Sequence, residues 1–168
     1  MTYTDRFIPL DGLIVHMDVS VPGLDDPILK SQYVGFLNVA VVTVWELSIK
    51  AIFLDFANKK HGSFGTYCGN VLERMNGRIS IKDLKEMHVR RFGDKYLTKF
   101  SKKLDELERA ELAVSGTSIK SSYGNIVVWR NSFAHEGVLP PNASYAETRK
   151  GYECGKLLLQ CLASSMVR

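Results

Sequence analysis

One stretch constrains this chain more than any other. From Ile28 to about Lys60, Leu29, Tyr33, Phe36, Leu37, Ala40, Val41, Val44, Leu47, Ala51 and Phe56 recur at helical spacing. That spacing gathers side chains along one side of an α-helix. The stripe is wide, so it predicts a long central helix contacted on several sides and, with it, an all-α fold. Pro27 suits a first helical turn, Asp25 or Asp26 can cap it, and Lys59, Lys60, His61 and Gly62 make a basic, glycine-terminated end. Phe36 to Ala57, the most apolar part, contains Glu46, Lys50 and Asp55. Three charges there argue against a membrane span.

The pattern stays helical downstream. A second helix is expected from Ser63 to Met75, ended by Asn76-Gly77. Ser80, with Asp83 three residues on, can cap a third, and Gly93 separates it from a fourth, Asp94 to about Ser115. That fourth helix offers Lys102/Glu106 and Asp105/Arg109 as charge pairs. Thr117 or Ser118 opens a fifth, which runs through Ile126-Val127-Val128-Trp129 to His135 and is stopped by Gly137 and Pro140-Pro141. A last helix spans Ser144 to Met166.

Short linkers between these segments predict an antiparallel bundle of about five to six helices over residues 28–168. Residues 1–27 read differently. Val15, Met17, Val19 and Val21 alternate with His16, Asp18 and Ser20 before Pro22, Gly23 and Pro27. A period of two predicts a short extended N-terminal arm, packed on the body or on a partner.

Charge and cysteine content narrow the function. A net charge of +4 admits an anionic partner without requiring one. Cys68, Cys154 and Cys161 form no CxxC pair, so neither a zinc site nor a disulfide framework is expected, and no cofactor is implied. The opening Met-Thr-Tyr-Thr-Asp lacks a basic, apolar leader, which makes the cytoplasm the expected compartment.

The chemically loaded element is Arg130-Asn131-Ser132-Phe133-Ala134-His135. Histidine can act as base and then as acid near neutral pH, and arginine offers a planar fork for a phosphate. Asn131 and His135, four residues apart, share a helix face, so the amide can orient the imidazole. Arg130 lies about 140° around the helix from His135, and both reach one cleft only if the helix loosens or the arginine bends around it. RNA brings its own nucleophile, the 2′-hydroxyl, so a base and a phosphate clamp suffice without metal.

Arg-Asn-Ser-Phe-Ala-His-Glu-Gly, residues 130–137, resembles the R-x4-6-H signature of the HEPN superfamily, with Asn131 as its usual polar second residue. Upstream, Val44-Trp45-Glu46-Leu47-Ser48-Ile49-Lys50 resembles the Trp-Glu-x-x-x-Lys turn in the first long helix of small prokaryotic HEPN proteins, including the RiboL-PSP type. The resemblance implies a helical bundle acting as a metal-independent endoribonuclease in toxin–antitoxin, phage-defence or stress systems. It also implies a homodimer with a composite active site and, as further partners, RNA and an antitoxin or sensor protein. His135 would then be the general acid/base, Arg130 the phosphate contact, Asn131 the orienting group and Glu46 an acid facing the cleft. Read from the residues alone, Glu46 and Lys50 instead make a surface i,i+4 pair. Gly137 stands where toxins paired with a nucleotidyltransferase antitoxin carry Tyr, so the resemblance does not extend to that branch.

Lys120, Tyr123 and Arg149 are further candidates for RNA contact; Tyr123 could stack a base or sit in the core. The alternative function is a non-catalytic RNA- or nucleotide-binding or assembly module on the same fold.

Overall fold

The computed structural model describes residues 2–167, and among these every regular element is helical. After a 3-10 turn, Thr4–Phe7, come α1 (Ile8–Ser20), α2 (Pro27–Asn58), α3 (Gly62–Leu72), α4 (Ile81–Asp83), α5 (Asp94–Ser115), α6 (Ile119–Glu136) and α7 (Tyr145–Ser165). The caps are those the sequence offers. Asp26 accepts the Ile28 and Leu29 amides, Ser80 that of Asp83, Ser118 that of Ser121 and Ser144 that of Glu147.

The expected extended arm is a correction: residues 8–20 are helical. Leu10, Ile14, Met17 and Val21 are buried at i, i+4, i+7 and i+11, while Val15 and Val19 are 67% and 80% exposed. The alternating valines and methionine therefore split between the two faces of a helix. Their period of two overlapped a helical stripe that starts earlier, at Leu10. This added helix brings the count to seven rather than five to six.

Carboxylates bind α1 to α7. Asp11 accepts from the Tyr152 hydroxyl and Lys156, and Asp18 accepts from the Tyr145 hydroxyl and pairs with Arg149. Burial, followed by its bond to Asp18, pushes the Tyr145 hydroxyl up to about 12.

The central helix is α2, packed against α1, α3, α6 and α7. It is long and apolar enough to cross a membrane by length and composition, yet half of its most apolar window is buried inside the bundle. It runs antiparallel to α6: Phe36 meets Phe133 at one end and Trp45 stacks on Tyr123 at the other, ring centroids 5.3 and 4.4 Å apart. Asn38 bonds Thr148, and the Trp45 indole lies against Gly155, so α2 and α7 run in the same direction. A Cβ on Gly155 would fall 2.0 Å from that indole, which explains a glycine in the middle of α7. The helix α5 lies antiparallel to α7, with Phe100 and Leu104 buried and Lys103 bonded to Ser164.

The segment between α3 and α5 departs most from a regular helix. Asn76 and Gly77 both take left-handed backbone angles (φ 39° and 75°). Beyond α4 the chain makes a π-helical turn, Leu84–His88, and a 3-10 turn, Val89–Phe92. The anticipated pair Asp105/Arg109 is also different: Asp105 bonds Lys120 on α6 at 2.6 Å, holding the α5–α6 hairpin, while Arg109 turns to the Asp105 carbonyl.

Candidate active site

The loop at residues 76–79 is where three of the sequence's candidate residues, Glu46, Tyr123 and Arg130, meet. Glu46, on α2, accepts the Gly77 amide at 2.7 Å through one carboxylate oxygen and Lys50 at 2.7 Å through the other. The residue thus makes the i,i+4 pair and also fixes a distant loop. His88 bonds the Arg78 carbonyl at 2.8 Å, and Tyr123 donates its hydroxyl to the Ile79 carbonyl at 2.6 Å. Three side chains from three elements therefore pin three consecutive residues. Hydrogen bonds to a charged acceptor contribute more than neutral ones, about 1.5–3 kcal/mol, so Glu46 is the strongest of the pins.

Arg130 lies on this loop. A Cβ at Gly77 would meet its Nη2 at 2.3 Å, which places the guanidinium directly over the Gly77 α-carbon. Its helix position explains this. Arg130 falls on the side of α6 that also carries buried Tyr123, Ile126 and Phe133, and it is half-buried. No carboxylate of the described residues lies within 4.0 Å of it, and it makes no hydrogen bond among them. A fork of donors is thus held beside a rigid loop with its charge uncompensated by direct contact, an arrangement suited to an anionic oxygen.

Asn131 and His135 share the opposite, outward side of α6, and both are exposed. No hydrogen bond links them among the described residues, so the expected orienting contact is not made here. Gly137 (φ 72°) ends the helix two residues later. The expected angle of about 140° between Arg130 and His135 is retained, because α6 continues regularly to Glu136. Val128, about two turns earlier on nearly the same face of α6 as His135, is also exposed, as are Asn131 and Glu136.

Of the three candidates for RNA contact, Tyr123 reaches the loop only from beneath, through its bond to Ile79, and Lys120 and Arg149 do not reach it. Tyr123 is fully buried and stacked on Trp45, which makes it a core residue rather than a base platform. Burial, with a smaller contribution from Asp83, drives its hydroxyl pKa upward and keeps it a donor. Lys120 is paired with Asp105 and Arg149 with Asp18, each on a different side of the bundle.

Gly77, Arg78 and Tyr123's bond to Ile79 were not foreseeable as parts of one site. The sequence signal was Asn76-Gly77, which reads only as a helix stop. A separate cavity of about 740 Å³ opens between the Thr2–Thr4 turn, the second half of α2 and the end of α7, and reaches neither Arg130 nor His135.

Comparison with known proteins adds one finding. A family model described as RiboL-PSP-HEPN matches residues 5–168. No curated protein and no solved structure matches the chain.

Proposed function

The chain belongs to the RiboL-PSP-HEPN family, and from that premise we propose that it is a metal-independent endoribonuclease whose site is completed by a second copy of the chain. The observation that carries the reading is Arg130: a half-buried guanidinium with no carboxylate partner, held over Gly77 by a loop pinned from three sides. A structural arginine at such a position would be expected to find an acidic partner, since burying an unpaired charge is costly.

In the proposed reaction Arg130 holds the phosphate. An imidazole removes the proton from the 2′-hydroxyl, whose oxygen bonds to the adjacent phosphorus. The P–O5′ bond breaks, and an imidazolium protonates the departing O5′. The products are a 2′,3′-cyclic phosphate and a 5′-hydroxyl. The His135 imidazole serves as base and, once protonated by the 2′-hydroxyl, as the acid. Arg130 and His135 sit on different sides of α6, so a cleft between two copies is the arrangement that brings one chain's arginine to the other's histidine. The exposure of His135 and Asn131 on the outward side of α6 leaves them accessible to such a contact. Activity of this kind fits the toxin–antitoxin, phage-defence or stress roles implied by the family resemblance.

The test is incubation of purified protein with RNA in EDTA. Wild type is expected to release fragments ending in 2′,3′-cyclic phosphate, and His135→Ala and Arg130→Ala to lose at least two orders of magnitude in rate, the usual contribution of such groups. Equal amounts of intact RNA for wild type and His135→Ala would refute the enzymatic reading, and RNA binding that persists without cleavage would favour a binding module.

A further inference from the structure

The most basic part of the chain adjoins the loop under Arg130. Residues 74–103 hold ten lysines and arginines and three acidic residues, a surplus of seven positive charges, whereas the whole chain carries +4. The remainder is therefore net acidic. Arg74, Arg78, Lys82, Lys85, Arg91, Lys95 and Lys102 have no carboxylate within 4.0 Å among the described residues. A cluster of unpaired cations on one segment is the electrostatic footprint of a polyanion track.

Between that segment and α3 lies a cavity of about 470 Å³, lined by Phe64, Tyr67 and Val71 on α3 and by His88, Arg91 and Phe92 of the Leu84–Phe92 turns. Its volume is in the range of small-ligand sites, roughly 300–1,000 Å³. The wall is rigid: Phe92 stacks on Phe53 (5.0 Å) and meets Phe56 and Phe64 edge-on. The mouth opens to solvent, with Tyr67 66% exposed and Arg91 exposed.

His88 gives the cavity its polarity. A carbonyl only accepts, so its Nε2 carries the proton donated to Arg78. Nδ1 is then an acceptor, and it is buried with no partner. Burial holds the imidazole below its usual range, so it stays neutral at physiological pH. The π-helical turn that presents it is itself a feature found often at functional sites.

Resting on the ribonuclease reading, we propose that this cavity takes one unstacked base of the RNA strand, stacked between Tyr67 and Phe92, donating an N–H to His88 Nδ1, with Arg91 on its phosphate. Recognition of single-stranded RNA by aromatic stacking beside arginine is a recurrent mode. The link to the active site is short: the carbonyl that His88 holds belongs to Arg78, the residue after Gly77, on which Arg130 rests. A base seated here would fix the register of the scissile phosphate.

The experiment has two arms. In the first, adenosine, guanosine, cytidine and uridine 5′-monophosphates are titrated into ¹⁵N-labelled full-length protein. Saturable shifts at the Tyr67, Arg91 and Phe92 amides are expected with at least one of them. Affinity should fall at least tenfold in Tyr67→Ala and in Arg91→Ala, both exposed positions whose variants should keep the wild-type melting temperature. No saturable shift with any monophosphate, or equal shifts with ribose 5-phosphate, overturns the proposal. In the second arm, cleavage sites on a mixed-sequence RNA are mapped. Tyr67→Ala is expected to flatten the base preference next to the cut. If wild type cuts RNA and Tyr67→Ala cuts the same positions at the same rates, the base pocket is wrong and the ribonuclease reading stands. If monophosphates bind the pocket and RNA is never cut, the ribonuclease reading falls and the pocket remains as a nucleotide site.

Discussion

Gly77 meets two demands at once: a backbone angle of φ 75° and an open face for the Arg130 guanidinium. Alanine meets neither. The left-handed angle costs a residue with a Cβ about 1–2 kcal/mol, and the new methyl would stand where Nη2 now lies, 2.3 Å away. Gly77→Ala is therefore expected to lower the urea midpoint modestly and RNA cleavage by tenfold or more, since small misplacements of a clamp are expensive in rate. Cleavage unchanged in a variant that shows the expected loss of stability would detach Arg130 from the chemistry. At this scale the sequence was half informative. Arg130, Asn131 and His135 were visible as a motif on a helix, and their angular separation followed from the helical repeat. That Glu46, Gly77 and Arg130 converge was invisible, because it joins three elements far apart in sequence.

Among the elements, the long helices were legible because capping residues and glycines bracket them: Asp26 and Ser144 cap starts, while Gly116 and Gly137 end helices in left-handed geometry. The failure at α1 has a physical origin. Four apolar residues at alternate positions satisfy a strand pattern, and half of them also satisfy a helical one; only the partners, Asp11 and Asp18 against α7, decide the case. An integral α1 predicts a large penalty for Ile14→Ala, about 2–4 kcal/mol by the usual cost of emptying a buried aliphatic site. Chemical denaturation measures it, and a midpoint equal to wild type would show that the N-terminal segment is detachable after all. The Leu84–Phe92 turns were legible only as a stretch between Ser80 and Gly93, since nothing local distinguishes a π-helical turn from an α-helical one.

For the whole molecule, His88 couples stability to pH. Its burial is the main cause of a lowered pKa, helped by Arg91 and opposed by the Arg78 carbonyl, Asp83 and Glu46. The unfolded chain takes up a proton near 6.5 that the folded chain resists. Stability is thus fully present above that value and is lost as pH falls below it toward the folded pKa. The melting temperature of wild type should drop more steeply between pH 7 and pH 5 than that of His88→Gln, and parallel curves would contradict the assignment. Assembly acts at the same scale. The arginine faces a pinned loop and the histidine faces outward from α6, and on the proposed reading a second copy joins the two.

Mixing Arg130→Ala with His135→Ala tests that account most directly. Each variant alone should form almost no 2′,3′-cyclic phosphate from RNA in EDTA. After subunit exchange, half the dimers are mixed and each retains one intact arginine–histidine pair, so the equimolar mixture should recover roughly a quarter of wild-type activity. A mixture as inactive as its parents, beside an active wild type, would place arginine and histidine of one site on the same chain and contradict the two-copy site.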